Sequence, residues 1–402
     1  MDIGISGDQI DTIGTDLQEG KQEIEANSLV DSGFLSIHVH LDKACIADEL
    51  PSNQSGTIEE AVAISRHAKK TMTVSDIRQR AQEVIRMHVR NGCTRIRTHV
   101  DVDTPGGLTP LKGVLSARKA CEDIADVQVV AFPQEGIIKD PGTEDLLEEA
   151  LRNGADVIGG MPAAEFTDED RRRHVDICLN LAMNYDLPVD MHVDETDDPT
   201  ARSLEYLAGQ CIDRSLDDGR VTAGHICALS SYDENHARRV IKTLSRANIN
   251  VITNPTTNLI LQGRHDQHPR RRGITRVDQL LEAGLTVAAG QDNIRDGFYP
   301  YGRADMLEVA LFTAHAAHLQ TPNERQTAWK MIGSNPANIM GINYGLEEGN
   351  PATFNVFPTE IQSVTDALNK NRPPRQVIHQ GRIVAQNRVE SEIIDESRLN
   401  DS

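Results

Sequence analysis

Two histidines one residue apart, His38 and His40, lie in an apolar run from Phe34 to Leu41. On a β-strand, residues i and i+2 point to the same side, so both imidazoles face one way while Val39 and Leu41 face the other. Such a pair either shares a metal ion or is simply polar decoration on an exposed strand face. The rest of the chain decides. His192-Val193-Asp194-Glu195, His225 and Gln291-Asp292-Asn293 follow downstream. His38, His40, His192 and Asp292 together offer three nitrogens and one oxygen, a donor set suited to one catalytic metal with an open position for water. Water bound there loses a proton near neutral pH and becomes a nucleophile. Asp292 can both ligate the metal and accept that proton. Glu195, three residues after His192, is placed to carry a proton between reacting groups; its bland alternative is a loop carboxylate in a surface ion pair. His225 can orient the nucleophile or stabilise developing negative charge.

These residues need a scaffold that gathers them. Strand-like runs are read at Phe34–Leu41, Thr94–Val100, Val127–Phe132, Asp156–Gly160, Pro188–Val193, Val221–His225, Asn250–Asn254 and Thr286–Ala289. Each is followed by at least one helix-like segment, with a polar loop intervening after Asn254. Strands alternating with helices argue for a parallel sheet, and eight such units fit an α/β fold of the (β/α)8 barrel type. A doubly wound open sheet is the alternative, but no G-x-G-x-x-G follows the first strand. In a barrel, catalytic residues sit at the C-terminal strand ends, which is where His38, His40, Gln134, His192, Glu195, His225 and Asp292 fall. The fourth strand carries no lysine to bridge a second metal, so a single metal is expected. Lys43 reads either as an ion pair with Asp42 or Asp101 or as a substrate contact.

The two ends share a different texture. Asp2–Ser6, Gln9–Ile13 and Glu23–Ala26, then Ala352–Phe357, Gln376–His379 and Arg382–Ala385, read as short strands between Gly, Asp and Pro turns. Residues 1–32 and 343–390 are therefore assigned to one small β-sandwich domain, 33–342 to the barrel and 391–402 to an acidic tail.

Composition narrows the partners. A net charge of -20 disfavours nucleic acid. Ten of the 41 basic residues are lysine; an acidic, lysine-poor surface suits a high-salt cytoplasm, where charge is screened. Mean hydropathy of -0.42 indicates a soluble protein, and no apolar run reaches the ~18–20 residues of a membrane span. Met1-Asp2-Ile3-Gly4 lacks the basic and apolar regions of a secretory signal, so a cytoplasmic location is expected. The six cysteines form no CxxC pair and are expected to be reduced core residues.

Several segments together resemble the bacterial cytosine deaminase group of the amidohydrolase superfamily. They are Gly33-Phe34-Leu35-Ser36-Ile37-His38-Val39-His40-Leu41-Asp42, Arg97-Thr98-His99-Val100-Asp101-Val102, Val129-Val130-Ala131-Phe132-Pro133-Gln134-Glu135-Gly136, Leu261-Gln262-Gly263-Arg264 and Asp292 through Pro300. The resemblance implies a distorted (β/α)8 barrel with a small β-sandwich from both termini, and one divalent metal, iron or zinc, on His38, His40, His192 and Asp292. It implies Glu195 as proton shuttle, His225 as the histidine that orients the hydroxide, and Gln134 as the amide that reads the pyrimidine edge. The implied reaction is deamination of a cyclic amidine, cytosine or a close pyrimidine, with release of ammonia. The implied partners are a small heterocycle and further copies of the chain. Departures occur at Asn293, where the group usually has Asp, at Gln291, often His, and at Phe298, commonly Trp. The His-Leu-Asp-Lys and Asp-Asn-Ile-Arg-Asp segments are also similar to relatives that hydrolyse amino-substituted triazines. The group's opening β-strand reads as short or missing here.

Overall fold

The computed structural model describes residues 2–18, 20 and 22–391. The strands, in chain order, are β1 (Asp2–Ser6), β2 (Gln9–Gly14), β3 (Val30–Asp31), β4 (Phe34–Val39), β5 (Cys93–Asp101), β6 (Asp126–Phe132), β7 (Val157–Gly160), β8 (Val189–Val193), β9 (Val221–His225), β10 (Asn250–Thr253), β11 (Val287–Ala289), β12 (Phe354–Val356), β13 (Gln376–His379) and β14 (Arg382–Gln386). Strands β4 to β11 form one parallel sheet in sequential order, with helices between them. The ring is closed by backbone rather than by a full ladder. Asp292 N donates to His38 O (2.7 Å), and His40 N donates to Asp292 O (3.2 Å). The fold is a distorted (β/α)8 barrel.

Burial explains why these runs became strands. Every residue of β4 and β5 is buried, as the near-continuous apolar runs of a two-sided parallel sheet require. The helices outside are amphipathic and capped. The helix Val74–Arg90 opens on a reciprocal cap between Thr73 and Asp76 and turns Ile77, Ala81, Val84 and Ile85 inward. The floor of the barrel is sealed by Ala337, Ile339 and Met340 packed against Leu35, Ile37, Ile252 and Ala288. Above that floor sits a buried polar layer: Arg97 donates to Asp190 Oδ2 (3.0 Å), whose other oxygen lies 3.4 Å from His99 Nε2.

Both termini build a second sheet, in the order β14-β13-β12-β3, and the β1–β2 ribbon lies beside it. Ile10 of the ribbon is buried with Ala352, Phe354, Val356 and Ile378, and Ile10 N donates to Asn350 O (2.9 Å). The expected strand Glu23–Ala26 is not one. That segment finds no ladder partner; Arg375 grips the carbonyls of Glu25 and Ala26 instead, and β3 takes the sheet edge. Two short helices stand where the sequence shows none, Pro255–Leu261 after β10 and Val364–Lys370 before β13. The expected acidic tail, 391–402, lies almost wholly outside the described residues.

Candidate active site

The C-terminal mouth of the barrel gathers four donors. One donor atom from each of His38, His40, His192 and Asp292 lies within 4.8 Å of all the others, and all four residues are buried. His40 Nε2 is 3.2 Å from His192 Nε2 and 3.3 Å from Asp292 Oδ1, and His38 Nε2 is 3.6 Å from the same oxygen. The register of β4 against β5 slips between Ser36 and Val39, a bulge that re-aims the strand where His38 leaves it. Gly290 lets the β11 end pass close to it: a Cβ there would lie 2.7 Å from His38 Cβ and 2.3 Å from Asn254 Oδ1. Asp292 itself adopts a left-handed backbone (φ 64°), as does His225 at the end of β9 (φ 67°), conformations that cluster at functional sites.

The donor set fits a divalent metal. Both ring nitrogens of His38 and Asp292 Oδ2 are buried without a hydrogen-bond partner. Leaving such groups unpaired costs about 1–3 kcal/mol each, and a cation bound among the four donors would satisfy one nitrogen of His38 and an oxygen of Asp292. Burial, reinforced by neighbouring cationic and imidazole groups, holds His38, His40 and His192 well below the ordinary imidazole range. They are therefore neutral and able to ligate.

Glu195 and His225 stand beside this cluster. His225 Nδ1 is 3.2 Å from Glu195 Oε1, and His225 Nε2 is 4.0 Å from Asp292 Oδ2. The sequence reading missed what holds them. Asn258 Nδ2 donates to Glu195 Oε1 (3.0 Å), while Asn258 Oδ1 lies 3.2 Å from His225 Nδ1. The Asn254 amide lies 3.0 Å from His225 Nε2, so an amide flanks each ring nitrogen. Asn258 sits on the unforeseen helix Pro255–Leu261, so the signal was absent. Burial, then the nearby Asp292 carboxylate, raises Glu195 well above the usual carboxylate range.

A small cavity opens on these groups, lined by His40, His192, Glu195 and Asp292 together with Gln134, Asn293, Phe298, Met161 and Ile58. Gln134 follows β6, and Asn293 follows Asp292. Asn293 Nδ2 donates to Asp296 Oδ2 (2.7 Å), and Asp296 Oδ1 in turn accepts from the backbone of Phe298 (2.9 Å) and Tyr299 (3.0 Å). Asp296 thus holds two of the lining residues, Asn293 and Phe298, at once. Lys43 lies behind the wall, its Nζ 2.7 Å from Asp101 Oδ1 and 3.0 Å from Gln134 Oε1. The ion pair with Asp101 is the one expected; Lys43 does not line the cavity but touches Gln134, which does.

The family model for the amidohydrolase family matches residues 55–385. This chain belongs to the amidohydrolase family. As such it is a hydrolase acting on carbon–nitrogen bonds. It is similar, at 34% identity and a TM-score of 0.91, to 5-methylcytosine deaminase from Klebsiella pneumoniae, covering 98% of this chain and 96% of that one. It is 31% identical over 96% of its length to N-isopropylammelide isopropyl amidohydrolase from Pseudomonas sp. (strain ADP), 94% of which is covered. Pterin deaminase from Rhizobium rhizogenes is 31% identical over 87% of this amidohydrolase and 79% of its own length. No described helix is long and apolar enough to cross a membrane.

Proposed function

We propose that this amidohydrolase deaminates a one-ring amino-substituted oxo-heterocycle, cytosine or a close pyrimidine, releasing ammonia. The observation that carries this reading is the arrangement of the small cavity. Glu195, a carboxyl that burial disposes to hold its proton, and the amide of Gln134 line one cavity together with three of the four proposed ligands, His40, His192 and Asp292. A divalent metal, iron or zinc, on His38, His40, His192 and Asp292 would supply Lewis acidity and an acidified water.

The chain's own groups do the rest. Asp292 Oδ2, free of hydrogen bonds, accepts the proton released from water. Glu195 gives its proton to the ring nitrogen beside the attacked carbon, is recharged with the proton that Asp292 took from water and gives that one to the departing amine; the adduct's hydroxyl proton then returns through Asp292 to Glu195 as the carbonyl forms. His225, held between Asn254 and Asn258 with its Nε2 4.0 Å from Asp292 Oδ2, orients the attacking water. Gln134 and Asn293 read the ring edge, and Phe298 packs on its face. The sum is water plus amino-heterocycle going to oxo-heterocycle plus ammonia.

A second reading, hydrolysis of an amino or alkylamino group on a triazine, is favoured by the similarity over 96% of the chain to the ammelide hydrolase. Metal-loaded protein assayed side by side on cytosine and an amino-oxo-triazine tests both. Ammonia released from cytosine with the higher kcat/KM supports the first reading. Faster turnover of the triazine shifts the assignment to the second, and no product from either at full metal occupancy overturns both.

A further inference from the structure

The buried ammonium of Lys43 makes more contacts than an ion pair needs. Asp101 Oδ1 accepts from it at 2.7 Å, and the other oxygen of Asp101 lies 3.0 Å from a second buried ammonium, Lys69. Lys69 is itself held by Asp103 and by Glu135 Oε1 at 3.3 Å. This lattice fixes Lys43 Nζ between the rings of Phe132 (5.8 Å) and Phe298 (5.5 Å). From there it donates to Gln134 Oε1 at 3.0 Å.

That last contact has a chemical consequence. A carboxamide turns over about its terminal torsion with two broad wells, exchanging its oxygen and its NH2. An ammonium has donors only, so the orientation that points NH2 at Lys43 is forbidden. Gln134 lines the cavity, and its Nε2 finds no protein acceptor among the described residues. The NH2 is left as the group offered to a ligand.

We propose that Lys43 is a positioning residue that locks the Gln134 carboxamide, so that the pocket selects a ring carbonyl over a ring amino group at the position beside Gln134. The inference takes its ligand class, a planar amino-oxo ring, from the aminohydrolase reading above. A carbonyl accepts from the fixed NH2. An amino group meets it donor to donor, and a buried unpaired donor of this kind lowers affinity about tenfold or more. The substrate class is accordingly a ring whose neighbouring substituent is already oxygen; diamino rings are excluded.

Binding, not turnover, tests it. Pyrimidin-2-one and 2-aminopyrimidine both lack an amine at C4, the position attacked in cytosine; they differ in the C2 group read by Gln134 and in the ring N–H that only pyrimidin-2-one carries. Calorimetry on the metal-loaded wild type should show the carbonyl ring bound about tenfold tighter or more. In Lys43→Met the amide is free to turn, and the preference should fall to within about threefold. Gln134→Glu presents acceptors only and should reverse it. A wild type without preference, or a Lys43→Met protein that keeps the full preference, overturns the proposal. Should Lys43→Met fail to fold, Gln134→Glu decides: a preference that does not reverse overturns it. Ammonia release from cytosine, measured in parallel, separates the two readings. The expected binding pattern without ammonia would refute the deaminase assignment alone.

Discussion

Glu195 is pulled in two directions. Burial and the Asp292 carboxylate favour its protonated form, while the Asn258 amide and the Lys43 ammonium favour its anion. Burial wins, and the carboxyl stays well above its ordinary range, so it is an acid where an exposed glutamate would be a base. Glu195→Gln keeps the size of the side chain and an oxygen for Asn258 but has no proton to give. We expect kcat to fall by about 10²- to 10⁴-fold, with metal content unchanged by elemental analysis because none of the four proposed ligands is altered. A kcat within about tenfold of wild type would remove Glu195 from the proton path. The types of residue at this site are legible in the amino-acid sequence, because three histidines and two carboxylates at strand ends are few and chemically distinct. The supporting amides are not: Asn254 and Asn258 look like any polar loop until the fold sets them against His225.

Elements were legible in proportion to the length and period of their pattern. The eight barrel strands are apolar runs with Gly or Pro nearby, and the long helices carry a clear buried face. The helix Pro255–Leu261 escaped notice because it has seven residues, two threonines and an asparagine near its start, and no side-chain cap. Glu23–Ala26 misled because alternation alone cannot show whether a ladder partner exists. Helix packing makes its own prediction. The helix Thr109–Ala120 carries Gly113 against the helix Val74–Arg90, and a Cβ at Gly113 would sit 2.6 Å from Ile77 Cγ2 and 2.7 Å from Ile77 Cβ. Ala gains about 1 kcal/mol over Gly in a helix interior, but overpacking a filled contact costs about 1–3 kcal/mol. Because Ile77 is fully buried and stiff at Cβ, the clash should prevail. Gly113→Ala is expected to lower unfolding stability by about 1 kcal/mol, and pairing it with Ile77→Ala should show positive coupling. A single Gly113→Ala variant more stable than wild type in denaturant titration would show that the helices separate freely.

At the scale of the molecule, the chain joins its two ends through one buried seam. Strand β3 pairs with β12, and the rings of Phe34, Trp329 and Phe357 meet beneath it, Phe34 and Trp329 with centroids 5.1 Å apart. Asp31 sits in this seam. Its carboxylate accepts from Trp329 Nε1 (2.9 Å) and from Gly33 N (3.1 Å). These bonds favour the anion, yet burial outweighs them and raises the group from 3.8 to about 6. The folded protein thus holds this proton more tightly than the unfolded chain does. The contribution to stability is complete below the unfolded value of 3.8 and is lost as pH rises through the folded value of about 6. Asp31→Asn cannot titrate and lacks that loss. It surrenders one acceptor, so its stability relative to wild type has an offset of either sign at low pH, but the difference should move in favour of the variant by about 2 kcal/mol between about pH 4 and pH 7. Chemical denaturation of both proteins across that range measures it. A difference that stays constant with pH would mean that Asp31 is ionised throughout, and that the two hydrogen bonds, not burial, set the charge of the seam between sheet and barrel.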